Sequence, residues 1–98
     1  MEGKHKQTQR KVTVILQELA AQIIAINMCT NWSADMTYDG DSQSILITVL
    51  NEKFEMVHEQ EQSFDYDKRS NRIRAYTEFQ KMRIKLTEMF NQAKWEMV

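Results

Sequence analysis

Proline is absent from this 98-residue chain, glycine occurs twice (Gly3 and Gly40) and cysteine once (Cys29). Each scarcity excludes something. With no proline, no low-complexity linker and no internal repeat, nothing marks a domain boundary. The length is too short for two independent cores, so a single domain over 1–98 is expected, with residues 1–6 as a flexible start. A lone cysteine forbids an intrachain disulfide and gives no sign of an oxidising compartment, which favours a cytoplasmic setting.

Chemistry-bearing residues are equally sparse. A structural zinc site needs about four Cys or His ligands, and only Cys29, His5 and His58 are present, in unrelated segments. Asp39-Gly40-Asp41 opens like a calcium loop, yet Leu50 stands where an EF-hand requires its twelfth-position glutamate. There is no glycine-rich phosphate cradle and no nucleophile elbow. Cys29, at the end of an apolar segment, reads as core, and His58, amid Glu55, Glu59 and Glu61, as a surface or sheet-edge residue. The expectation is no cofactor, no metal and no enzymatic activity. The longest unbroken apolar run, Ile23 to Ile26, is four residues, against the roughly 20 that cross a bilayer, so no membrane span is expected. The basic N-terminal segment is followed by apolar sequence broken at Thr13, Gln17, Glu18 and Gln22, unlike a signal peptide.

What is present is apolar periodicity. From about Gln7 to Met28, Val12, Ile15, Leu16, Leu19, Ile23 and Ile26 recur at helical spacing and predict one long helix. Trp32, Ala34, Met36 and Tyr38 alternate with polar residues, the period of a strand with one buried face. Asp39-Gly40 supplies the positive φ of a hairpin turn, Ser44–Leu50 reads as a central strand, and Asn51-Glu52-Lys53 as a second turn. Phe54, Met56 and His58 then share one face of a third strand. Residues 60–67 fit either a continuation of that strand or a loop. Asp65 or Asp67 can cap a second helix, in which Ala75, Phe79, Met82, Leu86, Met89, Ala93 and Met97 form the core stripe. The fold class is therefore α+β, with a long N-terminal helix, a three-stranded antiparallel sheet and a long C-terminal helix. The remaining methionines, Met28, Met36 and Met56, are expected to fill core gaps.

Both helices carry a second face. Ile73, Ile84 and Trp95 are spaced by eleven residues, almost three whole turns, and lie opposite the core stripe of the last helix. Val14, Ala21, Ala25 and Met28 lie opposite the stripe of the first. A terminal helix of this length would overhang its own sheet, which points either to a break near its polar start or to packing on another chain as a homo-oligomer, most simply a dimer.

Charge is segregated beneath a net value of −1: residues 35–67 carry nine acids against Lys53 alone, and residues 68–98 eight bases against three acids. Arg72, Arg83 and Lys94, with Arg69 and Tyr76 near the same line, form a one-signed ridge suited to phosphates or to a carboxylate-rich surface, including the acidic strands themselves. The helix, three strands, helix order with Lys68, Arg69 and Arg72 at the second helix is similar to that of double-stranded RNA-binding domains, although the glycine-rich approach to that helix is missing and both helices are longer. Three functions follow as expectations. The first is a small non-enzymatic protein-binding module, a regulator, adaptor or inhibitor, that contacts another protein through Ile73, Ile84 and Trp95 and also self-associates. The second is an RNA- or DNA-binding protein using the basic ridge. The third is an acidic inhibitor whose strand carboxylates imitate a phosphate backbone.

Overall fold

A computed structural model describes the backbone of residues 2–64 and 69–98 and the side chains of residues 12–64 and 73–98. Its elements run α1 (Glu2–Cys29), β1 (Ser33–Asp39), β2 (Ser44–Leu50), β3 (Met56–Ser63) and α2 (Arg69–Glu96). The architecture is α+β in the expected order. The helix α1 begins at Glu2, ahead of the Gln7 boundary that apolar periodicity predicts, because a polar first turn carries no apolar signal. Its stripe Val12, Ile15, Leu19, Ile23 and Ile26 is buried, and Leu16 packs beside it.

The end of α1 is built by short polar side chains. Thr30 Oγ1 donates to the Ile26 carbonyl at 2.6 Å and accepts from Trp32 N at 3.0 Å, turning the chain out of the helix. Asn27 then clamps the start of β1: its Nδ2 donates to the Ala34 carbonyl (2.7 Å) and its Oδ1 accepts from Ala34 N (2.8 Å). The side-chain amide stands in for a neighbouring strand's peptide group.

The sheet order is β1-β2-β3, antiparallel throughout. Pairing of Ala34 with Val49, Met36 with Ile47 and Tyr38 with Ile45 sets one face, and on it Ala34, Ile45, Ile47 and Val49 are buried against the helices. The opposite face has no layer over it among the described residues. The first hairpin departs from expectation. Its loop spans residues 40–43, Gly40 does not adopt a positive φ, and Gln43 does, at 49°. Asp39 Oδ1 accepts from Asp41 N at 3.0 Å, so the aspartate rather than the glycine organises the turn.

The third strand is also corrected. Phe54 is not on it: with φ 62° it is a turn residue, its N–H bonded to the Asn51 carbonyl at 3.0 Å, and β3 begins at Met56. A register shift between Val49 and Leu50 then places Met56 opposite Leu50 but His58 opposite Val49. Met56 and His58 consequently face opposite sides, because the bulge at Val57 breaks the period of two. Of the open stretch from residue 60, Gln60–Ser63 is strand and Phe64 is buried; residues 65–67, including the candidate caps Asp65 and Asp67, lie outside the described residues, as does Lys68. Phe64 joins the layers, stacking on Tyr38 at 5.9 Å and meeting Phe79 edge-on at 5.8 Å between ring centres.

With three strands between the helices the chain reverses four times, and α1 and α2 are parallel neighbours. Gln22 Nε2 donates to the Arg83 carbonyl (3.0 Å) and to Thr87 Oγ1 (2.7 Å), and Arg83 bonds Glu18 at 2.7 Å. Along α2, Ala75, Phe79, Met82, Leu86, Met89 and Ala93 are buried as expected, whereas Met97 lies past the helix end and is exposed. At 28 residues each, the helices span about 42 Å at 1.5 Å per residue, while strands of seven or eight residues span only about 25 Å. The long axis of the molecule is 51 Å. The expected overhang is real, and α2 does not break to avoid it. Both helices project together, side by side.

Averaged over Val12–Cys29 the mean hydropathy of α1 is 1.6, so by length and composition alone it is apolar enough to cross a membrane, contrary to the reading from unbroken runs. Only 28% of that segment is buried, the stripe that packs against α2 and the sheet.

Candidate functional site

Ile73, Ile84 and Trp95 stand on one line of α2 pointing away from the core, 51%, 58% and 79% exposed. Their spacing of eleven residues separates neighbours by about 16 Å, so they form a row rather than a patch. On α1, Val14, Ala21 and Met28 are exposed and Ala25 is half-buried. Sequence periodicity missed Ile24, which is exposed between Ala21 and Met28 on the same side. With it, Val14, Gln17, Ala21, Ile24 and Met28 repeat at three, four, three and four residues.

One end of the molecule gathers further apolar groups. The C-terminal ends of both helices, the start of β1 and the β2–β3 turn meet there, as shown by the bond from Trp32 Nε1 to Glu96 Oε2 at 2.9 Å. A shallow polar cleft runs between Trp32, Gln92 and Glu96 on one side and Asn51–Lys53, Glu55 and Val57 on the other. Around this end Met28, Phe54, Met56, Val57 and Trp95 are all exposed. The methionines expected to fill the core thus divide: Met82 and Met89 are buried, Met36 packs at the edge, and Met28 and Met56 face solvent. Phe54 is 80% exposed in a left-handed backbone conformation, one that costs a side-chain-bearing residue about 1 kcal/mol or more. Asn51 enforces it, its Oδ1 accepting from Lys53 N (2.9 Å) and Glu55 N (3.0 Å).

The basic ridge is not a free row of cations. Arg83 is bonded to Glu18, and Tyr76 packs against the core with its hydroxyl accepting from Gln80 Nε2 at 2.7 Å. Lys94 is exposed in the last turn of α2, where a cation complements the helix dipole. The side chains of Arg69 and Arg72 lie outside the described residues. On the open face of the sheet, cross-strand rows place Thr37, Leu46 and Glu61 together, and Asp35, Thr48 and Glu59 together. Asp35, Asp39, Glu59 and Glu61 are acidic there, with no cation on the same face among the described residues. Leu46 and Leu50 of the central strand line this face and are half-buried.

Three backbone and side-chain hydrogen bonds, led by Asp41 N, hold the Asp39 carboxyl below its ordinary value. Cys29 is exposed at the end of α1 rather than in the core, and His58 faces the helices across from Val49. Among the described residues no group of three His, Cys, Asp or Glu side chains is placed to hold a metal ion.

No family model, no curated protein and no solved structure matches this chain.

Proposed function

We propose that the chain is a small non-enzymatic protein-binding module, a regulator, adaptor or inhibitor that acts by occupying a partner's surface and that also self-associates. The carrying observation is the display of two large aromatic side chains at one end of the molecule: Trp95 and Phe54 are both about four-fifths exposed. Aromatic anchors dominate interface energetics, and a turn held at φ 62° to present Phe54 costs folding free energy that a bound partner offsets. Incorporating a photo-crosslinking phenylalanine analogue at position 95 tests this. The reading expects one discrete adduct in the source organism; the same label at Lys85, exposed and about 80° round α2 from the Trp95 row, should give none. Equal labelling from both positions refutes it.

A second reading is favoured by the uncovered sheet face. Four carboxylates without a cation suit a basic surface, including that of a nucleic-acid-binding protein whose site they would occupy. Neutralising Glu59 and Glu61 to glutamine should then abolish capture while Trp95→Ser leaves it intact, the reverse of the first reading. Direct nucleic-acid binding has less support, since Arg83 and Tyr76 are engaged within the fold.

A further inference from the structure

From Thr13 to Cys29 the exposed residues of α1 include a single charge, Glu18, and that carboxylate is bonded to Arg83. In a chain that is 28% charged, this side of α1 is therefore uncharged from Val14 to Met28. Its stripe, Val14, Gln17, Ala21, Ile24 and Met28, runs about 21 Å at helical rise and keeps the three-and-four alternation that lets one helix seat against another. No element of the fold covers it among the described residues.

We propose that two copies of this chain pair along this stripe, α1 against α1 in antiparallel orientation, with Ala21 of each copy receiving Ile24 of the other. The pairing deepens the protein-binding reading above and rests on its self-association. Three observations favour a second copy as the occupant. The face is neutral, so it meets itself without repulsion and without desolvating a charge. Second, the molecule is drawn out to 51 Å, with an accessible surface of 6691 Å², about 800 Å² above the roughly 5,900 Å² of a compact monomer of 11.7 kDa, so its projecting helices carry surface that a compact domain of this size would bury. Third, Lys4, Lys6, Arg10 and Lys11 in the first half of α1 would lie beside their own copies in a parallel pair, and the antiparallel arrangement separates them. A membrane surface would engage Lys4, Lys6, Arg10 and Lys11 ahead of the stripe, since α1 from Val12 onward has no cation, and vesicle flotation separates it from self-pairing.

Sedimentation of the purified protein alone at micromolar concentration tests the proposal without reference to any heterologous partner. A dimer is expected. Ile24→Glu, at an exposed position, should raise its dissociation constant at least about 100-fold with the thermal midpoint of the monomer retained, since the substitution enters the interface twice. Gln17→Leu should tighten it about tenfold, an effect that a damaged fold would not produce. Trp95→Ser should leave the dimer intact. A monomer throughout the micromolar range overturns the proposal, as does a dimer that Trp95→Ser dissociates and Ile24→Glu does not, or a monomer that floats with phosphatidylcholine–phosphatidylglycerol vesicles. Loss of the photo-crosslinked adduct at position 95 with the dimer unaffected would count against the heterologous reading alone.

Discussion

Trp32 donates its indole N–H to Glu96 at 2.9 Å, joining the corner after α1 to the last turn of α2 across 64 residues of sequence. The ring itself is buried, so two contributions are separable. Trp32→Phe keeps most of the apolar area and removes the bond, and should cost about 1 kcal/mol because Glu96 can rehydrate. Trp32→Ala should cost about 3–5 kcal/mol through the cavity. Urea midpoints with an unchanged slope report both values.

Asn27 makes two bonds to the Ala34 peptide, one donated and one accepted. Asn27→Ala leaves both groups of that peptide without their partner and should destabilise by about 2 kcal/mol. Asn27→Leu should fare no better, since apolar bulk replaces neither bond. A neutral leucine variant in the same urea titration would show that the clamp contributes nothing.

The backbone at Phe54 yields a prediction of opposite sign. With φ 62°, glycine should relieve the left-handed strain, and Phe54→Gly should raise stability by up to about 1 kcal/mol, because little buried area is lost. Phe54→Ala should give no such gain, since the Cβ remains. Thermal midpoints distinguish them.

Asp39 accepts hydrogen bonds that its protonated form would lose, so its folded-state value lies below the ordinary 3.8. The sign follows from that depression: the contribution to stability is present above the unfolded value and fades as pH falls through the folded one. Side-chain carbon chemical shifts should titrate with a midpoint below 3.8, and Asp39→Ala should flatten the loss of stability in acid. A midpoint at or above that value would contradict the turn geometry.

Element order and the core stripe of α2 are legible in the sequence because apolar side chains recur with the periods of helix and strand. Where the reading fails, a local geometry breaks the period. The bulge at Val57 shifts Met56 to the opposite face from His58, and alternation alone contains no sign of an inserted residue. Asp39-Gly40 has the composition of a tight turn, but Asp39 draws two following amides to itself and the positive φ moves to Gln43. The second faces of the helices were visible from their eleven-residue and seven-residue spacings, with Ile24 the omission, hidden beside Ile23 in a continuous apolar run. That Arg83 faces α1 could not be read, since it depends on the helices being parallel neighbours.

The central claim is that exposed apolar side chains at the C-terminal end of the molecule are the partner contact. It is tested most directly by capture from a lysate of the source organism on the immobilised protein, with Trp95→Ser, Phe54→Ser and Glu59→Gln/Glu61→Gln variants alongside, all matched for thermal midpoint. The account predicts a protein retained by the parent and by the carboxylate variant and lost from both aromatic variants. The same protein bound equally by all of them would contradict it.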